Sequence, residues 1–234
     1  MVADHRDLPV GDRSERRNFV TRVGIFGGTF DPPHYGHLRS AEEVRELLRL
    51  DRILFVVASV PPHKDRVVSE FDTRHELTSL AIEDHPYFVA TDVERLRPGK
   101  SYTVETLLLL RDQYSTTHSK IFFLLGSDSF YEITTWKSYQ RIPELASLVI
   151  LNRPGFEGEA YESFLKATFP GYEGASGGEV FLHPEKEPVF FLDTTLLEIS
   201  STDIRKRVLE GRSIRYLVPE AVRKTIQQKG LYRS

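Results

Sequence analysis

The stretch Val23-Gly-Ile-Phe-Gly-Gly-Thr-Phe-Asp-Pro-Pro-His-Tyr-Gly-His-Leu38 constrains the fold more than any other part of the chain. Its apolar start (Val23, Ile25, Phe26) predicts a buried strand, Gly27 and Gly28 a sharp turn, and the spacing from Gly36 onward a helix. In an open parallel sheet such a turn lies at the carboxyl edge, where backbone N–H groups and the positive helix end receive phosphate. His34-x-Gly-His37 sets two imidazoles beside that anion site, with Gly36 between them to allow close approach. This is not a P-loop, which needs a following Gly-Lys-Ser/Thr. Nor is it a dinucleotide fingerprint, which needs Gly-x-Gly-x-x-Gly.

The rest of the chain repeats the same alternation. Leu38, Ala41, Val44, Leu47 and Leu48 fall at helical spacing. Arg52 to Ala58 is apolar on both alternations, as in a strand covered on both faces, so strand, helix and strand imply a right-handed parallel crossover. Asp72-Thr-Arg-His-Glu76 opens a second helix with an N-cap pattern, in which His75 reads as structural. Tyr87 to Val93 predicts a third strand, and Ser101-Tyr102-Thr103 leads a helix running to Gln113. Lys120 to Leu125 predicts a fourth strand ending in Gly126-Ser-Asp128, Leu148 to Leu151 a fifth ending in Asn152-Arg153-Pro-Gly155, and Val189 to Leu192 a last one. The expected architecture is a doubly wound, Rossmann-like α/β fold, with a parallel sheet of about five or six strands and the site at its carboxyl edge. Residues 1–21 read as a flexible amino-terminal arm and residues 22–234 as one domain, with 155–188 as a loop insertion, either a mobile loop or a lid, in which a helix-like piece (Tyr161, Phe164, Leu165) precedes a glycine-rich segment at 171–178.

Composition narrows the function classes. With 234 residues, 40% of them hydrophobic, and 15 Phe, the chain can build a full core. A net charge of −3 argues against general nucleic-acid binding, and the absence of Cys excludes disulfides, thiolate zinc sites and Cys nucleophiles. No apolar run approaches the ~20 residues that span a bilayer, and the amino terminus lacks the apolar segment of a signal peptide. The expectation is a soluble, cytoplasmic monomer or small homo-oligomer with neither nucleic acid nor membrane as partner.

Near the other end, Ile199-Ser-Ser-Thr-Asp-Ile-Arg205 puts three hydroxyls at a helix start, with Arg205 inside the first turns. Ser200, Ser201 and Thr202 read as caps or, with the free N–H groups of a helix end, as phosphate ligands. Gly27 to His37 resembles the first motif of the nucleotidyltransferases related to class I aminoacyl-tRNA synthetases, and Ile-Ser-Ser-Thr-x-x-Arg matches that superfamily's second motif. Within it the chain most resembles the bacterial nicotinate-nucleotide adenylyltransferases, since phosphopantetheine adenylyltransferases typically carry Thr where His34 stands.

That resemblance implies a nucleotidyltransferase domain over residues 22–234. The phosphate of nicotinate mononucleotide would attack the α-phosphorus of ATP, with Mg2+ carried on the ATP phosphates and no dedicated protein metal site. His34, His37 and Arg205 would be catalytic. ATP would lie against Gly27, Gly28, Thr29, Phe30, His34, His37, Lys64 of the Pro-Pro-His-Lys loop, Gly126, Asp128 and Ile199 to Thr202 with Arg205. Asp128 reads otherwise as a plain N-cap and Lys64 as a solvated charge. Ser101, Tyr102, Thr103, Trp136, Lys137 and Arg153 would meet the mononucleotide, although Ser101 and Thr103 suit helix capping equally and Trp136 a core position. At Lys137 the family more often has an aromatic residue or His. The competing readings are a sister adenylyl- or cytidylyltransferase and a non-catalytic nucleotide sensor.

Overall fold

A computed structural model describes residues 20–61, 68–95, 97, 99–114, 119–152, 158–175 and 178–233. The apolar runs become strands whose alternate side chains feed two separate cores. The run after Val20 forms β1 (Thr21–Gly28), which pairs in parallel with β2 (Arg52–Val57) on one side and β4 (Ser119–Gly126) on the other. Beyond them lie β3 (Phe88–Thr91), β5 (Ser147–Asn152) and β8 (Val189–Asp193), also parallel. On one face Val23, Ile25, Leu54, Val56, Ile121 and Phe123 pack with Val104, Leu107 and Leu110 of α3 (Thr103–Tyr114). On the other, Phe26, Ile53, Phe55, Phe122 and Leu124 pack with Ala41 and Val44 of α1 (Tyr35–Leu47). Both alternations are apolar because helices cover both faces.

Among the described residues the parallel strands run in the order β3-β2-β1-β4-β5-β8, and two further strands beyond β8 were not expected. β6 (Glu173–Gly174) and β7 (Val180–Leu182) extend the sheet antiparallel beyond β8. They belong to the 155–188 stretch, which is therefore not a loop insertion through its described residues. Its helix α6 (Gly158–Thr168) buries Tyr161 and Leu165, and Phe169, Tyr172 and Phe181 join the same core. The Tyr172 hydroxyl donates to the Glu187 carbonyl at 2.6 Å, and burial pushes this phenol's pKa up. The helix-like spacing of Tyr161, Phe164 and Leu165 becomes α6, whereas the glycines at 171–178 concealed the anchors Tyr172 and Phe181. The arm at residues 1–19 lies outside the described residues.

Helix α2 (Phe71–Ala81) starts two residues earlier than an N-cap at Asp72 implies. Glu70 precedes it, and Asp72 pairs with Arg95 instead of capping. His75 stacks on Phe71, a structural place as expected. Leu77 of α2 packs with Ile204 of α7 (Ser201–Leu209) and with Val222 and Ile226 of α8 (Glu220–Gln228) in a third apolar cluster.

From the middle of α2, Arg74 enters the interior with 1% of its surface exposed. Its guanidinium donates to four carbonyls: Ser69 (2.8 Å), Thr29 (2.9 Å), Ala58 (2.7 Å) and Ser59 (3.2 Å). Thr29 follows β1, and Ala58 and Ser59 follow β2, so one side chain ties the carboxyl ends of two neighbouring strands. Burial lowers its pKa, with Asp31 as the largest opposing influence, and an arginine remains charged under such a load. Arg74→Met keeps the length and apolar stem but leaves four carbonyls without their donor. We expect a loss of about 3 kcal/mol in urea unfolding, and a change below about 1 kcal/mol would show that the carbonyls find other donors.

Candidate active site

The turn after β1 is not made where glycine first suggested it. Gly27 and Gly28 stay in the extended strand, and the left-handed residue is Phe30, with φ 48°, followed by a cis Asp31–Pro32 bond. Phe30 folds back so that its ring lies 2.8 Å from where a Cβ on Gly28 would stand. The ring is buried and held by Phe26, Phe55 and His37, at centroid separations of 5.9, 5.6 and 5.1 Å. Gly28 is thus required for close approach and not for its backbone freedom.

His34 is the N-cap of α1 and His37 its third residue. Their rings lie 3.7 Å apart, and Gly36 permits this, since a Cβ there would press on the His34 ring at 3.0 Å. The His34 N–H donates to His37 Nδ1 at 3.3 Å. A neutral His37 consequently carries its proton on Nε2, where it can be donated to an acceptor oxygen.

The second motif closes on the first. Ser200 caps α7, its Oγ accepting the Asp203 N–H at 3.1 Å. Ser201 Oγ donates to the Pro32 carbonyl at 2.8 Å, while Arg205 donates to the Asp31 carbonyl at 2.6 Å and to Thr202 Oγ1 at 3.0 Å. All three hydroxyls are engaged within the protein. Ser200 and Thr202 only accept in these bonds, so their O–H groups can meet an anion at this helix end together with first-turn N–H groups and guanidinium charge.

Between the two helix ends lies a polar cavity of about 390 Å3, lined among others by Gly27, Thr29, Phe30, His34, His37, Gly126, Asp128 and Ile199 to Thr202. Asp128 is not an N-cap. That place in α4 (Ser127–Tyr131) belongs to Gly126, and Asp128 lies within the first turn. An apolar cavity of about 230 Å3 adjoins it, walled by Ile25, Val56, Leu107 and Phe123, and here Ser101, Tyr102, Thr103, Trp136 and Lys137 come together. The two share Gly27, Thr29, Phe123 and Trp136 and form adjacent lobes of one cleft at the carboxyl edge. Gly28 faces the apolar lobe alone, and Arg205 lines neither. Trp136 is half-buried between the lobes, tilted edgewise to Phe123 at 6.2 Å. Lys64 and Arg153 lie outside the described residues.

Sequence reasoning missed two features of the apolar lobe. Ser101 is latched to Val60 across the cleft, its N–H donating to the Val60 carbonyl at 3.0 Å and its Oγ accepting the Val60 N–H at 3.2 Å. Glu94, 6% exposed, accepts the Ser59 N–H at 3.2 Å and the Thr106 hydroxyl. Its only sequence signal was its place just past the third strand's carboxyl end. Lys137 stands 4.5 Å over the Tyr102 ring with its ammonium 2.6 Å from Glu105. The Lys137 hydrogen bond, with the nearby Arg97 charge, holds Glu105 below the usual carboxylate range. The positive charge of Lys137 is thus already matched. Among the described residues no cluster of three His, Asp or Glu could hold a metal ion, and no helix is long and apolar enough to cross a membrane.

A cytidylyltransferase-like family model matches residues 25–207. A protein from Syntrophotalea carbinolica named a probable nicotinate-nucleotide adenylyltransferase is 44% identical over 217 residues, covering 91% of this chain and 98% of that one. The chain belongs to the nicotinate-nucleotide adenylyltransferase family. A member from Thermus thermophilus is 42% identical over 212 residues, covering 91% of this chain and all of its own length. The fold is also that of the Plasmodium falciparum nicotinic acid mononucleotide adenylyltransferase solved with NaAD, at TM-score 0.71 and 21% identity over 91% of this chain and 97% of that one.

This member's cleft depends on the close approach of Phe30 to Gly28. The Phe30 ring cannot yield to a Cβ, whereas an added Cβ at Gly126 meets nothing within 4 Å. Gly28→Ala is expected to lower stability by about 1–3 kcal/mol through overpacking. Gly126→Ala should stay within about 0.5 kcal/mol. Chemical denaturation of both variants checks this, and equal effects would contradict it.

Proposed function

We propose that the protein transfers the adenylyl group of ATP to nicotinate mononucleotide, giving nicotinate adenine dinucleotide and pyrophosphate. One observation carries the reading. From opposite ends of the chain, α7 is hydrogen-bonded to the turn that leads into α1 beside one polar cavity, and past Trp136 that cavity adjoins an apolar lobe of about 230 Å3. A phosphate oxygen of the mononucleotide attacks the α-phosphorus, the bond to the β-phosphate oxygen breaks, and pyrophosphate leaves without a covalent enzyme intermediate. Such a displacement asks the protein for alignment of two anions and relief of charge.

His37, as an Nε2–H donor, and the neighbouring His34 would meet the α-phosphate. The α7 amino end and Arg205 would hold the departing pyrophosphate, and Asp128 a ribose hydroxyl. Magnesium fits as an ion carried by the nucleotide. Of the two carboxylates lining the polar cavity, Asp31 already accepts from Tyr232 and Ser69, so the protein offers few ligands to a bare cation. When bound, the ion would neutralise charge on the triphosphate.

The decisive assay offers the purified protein ATP and Mg2+ with nicotinate mononucleotide, nicotinamide mononucleotide or phosphopantetheine, and measures pyrophosphate. Release with phosphopantetheine alone would replace this reading by the sister activity. His37→Ala should cut turnover by about two orders of magnitude with an unchanged circular dichroism spectrum, the usual scale for losing a preorganised donor. Near wild-type turnover would remove His37 from the mechanism. Arg205→Ala should weaken ATP binding by about 2–5 kcal/mol while sparing the mononucleotide. Equal losses in calorimetric titrations would assign Arg205 to the fold alone.

The acid is the expected substrate over the amide. A carboxylate accepts at both oxygens, whereas an amide turns an NH2 toward the donors near Trp136 and Thr103. Discrimination in kcat/KM of about 100-fold follows if the amide is left unpaired. Because Glu105 balances Lys137, Lys137→Met should reduce it only modestly. Comparable steady-state efficiencies for the two mononucleotides in the wild-type protein would contradict the pocket chemistry.

A further inference from the structure

We propose that Tyr232 is a positioning residue for the nucleotide's phosphates, acting through Asp31 on the turn between β1 and α1. The inference rests on the reading of the polar cavity as the ATP phosphate site. Asp31 is 2% exposed and lines that cavity, so a negative charge is buried beside the place where more negative charge must bind. Such a carboxylate is tolerated only when donors fix it. The Tyr232 hydroxyl donates to one carboxylate oxygen at 2.8 Å, from 201 residues further along the chain, and the Ser69 N–H reaches the other at 3.4 Å. Burial and the Asp31 charge both push the Tyr232 phenol well above its ordinary pKa, so it stays an O–H donor.

The same residue organises both phosphate-facing motifs. The Asp31 carbonyl accepts from Arg205, the Pro32 carbonyl accepts from Ser201, and His34 follows as the cap of α1. Without the phenol hydroxyl, the Asp31 carboxylate loses one of the donors that fix it and shifts toward the cavity or toward Arg205. Either outcome, a carboxylate turned toward phosphate or one competing for the Arg205 guanidinium, weakens anion binding.

Anchoring of the tail itself does not depend on that hydroxyl. Lys229 pairs with Glu76, the Leu231 N–H donates to the Ile226 carbonyl at 3.0 Å, and the Leu231 side chain packs against the cluster of α2, α7 and α8. Tyr232→Phe therefore removes one donor and keeps the tail, whereas Leu231→Ala loosens the tail and keeps the donor.

Calorimetric titration with Mg–ATP alone, paired with thermal melting, separates the two roles and requires no turnover. Tyr232→Phe should weaken Mg–ATP binding by about tenfold with nicotinate mononucleotide affinity within about twofold of wild type. Leu231→Ala should lower the melting temperature with Mg–ATP affinity retained. Mg–ATP affinity unchanged in Tyr232→Phe, equal weakening in Leu231→Ala, or no Mg–ATP binding by the wild-type protein would each overturn the proposal. A wild-type protein that binds Mg–ATP but releases no pyrophosphate with nicotinate mononucleotide would instead refute the proposed activity and leave this inference standing.

Discussion

Everything at the carboxyl edge hangs on a buried guanidinium. Arg74 gathers the carbonyls of Thr29, from the connection after β1, and of Ala58, Ser59 and Ser69, from the two ends of the connection between β2 and α2. Its planar fork supplies donors in several directions from one rigid group, which a lysine could not do. Because Thr29 and Ala58 line the apolar lobe, the same interaction that satisfies buried carbonyls also sets the cleft's width. Stability and site geometry are here one constraint.

A second layer of the design separates the two kinds of chemistry that the cleft combines. Donors converge where the helix ends meet, while aromatic and aliphatic walls line the neighbouring lobe, and Trp136 belongs to both. The charged groups around the apolar lobe are arranged in compensating sets: Glu105 faces Lys137 and Arg97, and Glu94 is satisfied by Ser59 and Thr106. A ring entering this lobe meets little net charge. Selectivity for its substituent must then come from hydrogen-bond direction more than from bulk electrostatics.

Local patterns made much of this legible in the sequence. The strand runs at 23–26, 53–57 and 121–125 announced a sheet covered on both faces, and the two histidines and the Ile-Ser-Ser-Thr segment announced helix ends facing one edge. What escaped depends on contacts between distant parts of the chain. Arg74 reads as one more charge on an amphipathic helix, Glu94 as one among several charges in a loop, and no local pattern announces that the Phe30 ring folds back onto Gly28. The 155–188 stretch misled for a related reason: Gly171, Gly174 and Gly178 dominate its composition, yet Tyr172 and Phe181 between them decide where it packs. Residue types advertise local conformation, but burial is a property of the assembled chain.

The contact between α7 and the turn after β1 has a consequence for the order in which the molecule is built. Its hydrogen bonds join residues 169 and 174 positions apart, among the longest loops the chain closes. Loop closure of that length carries its entropy cost before any local reward arrives. The polar lobe is therefore a late product of folding, absent from any nascent chain that lacks its last third. A ligand that spans the two helix ends binds only the completed topology, and its binding energy is added to the stability of the whole fold by mass action. Ligand supply and the equilibrium stability of the fold are in this way linked.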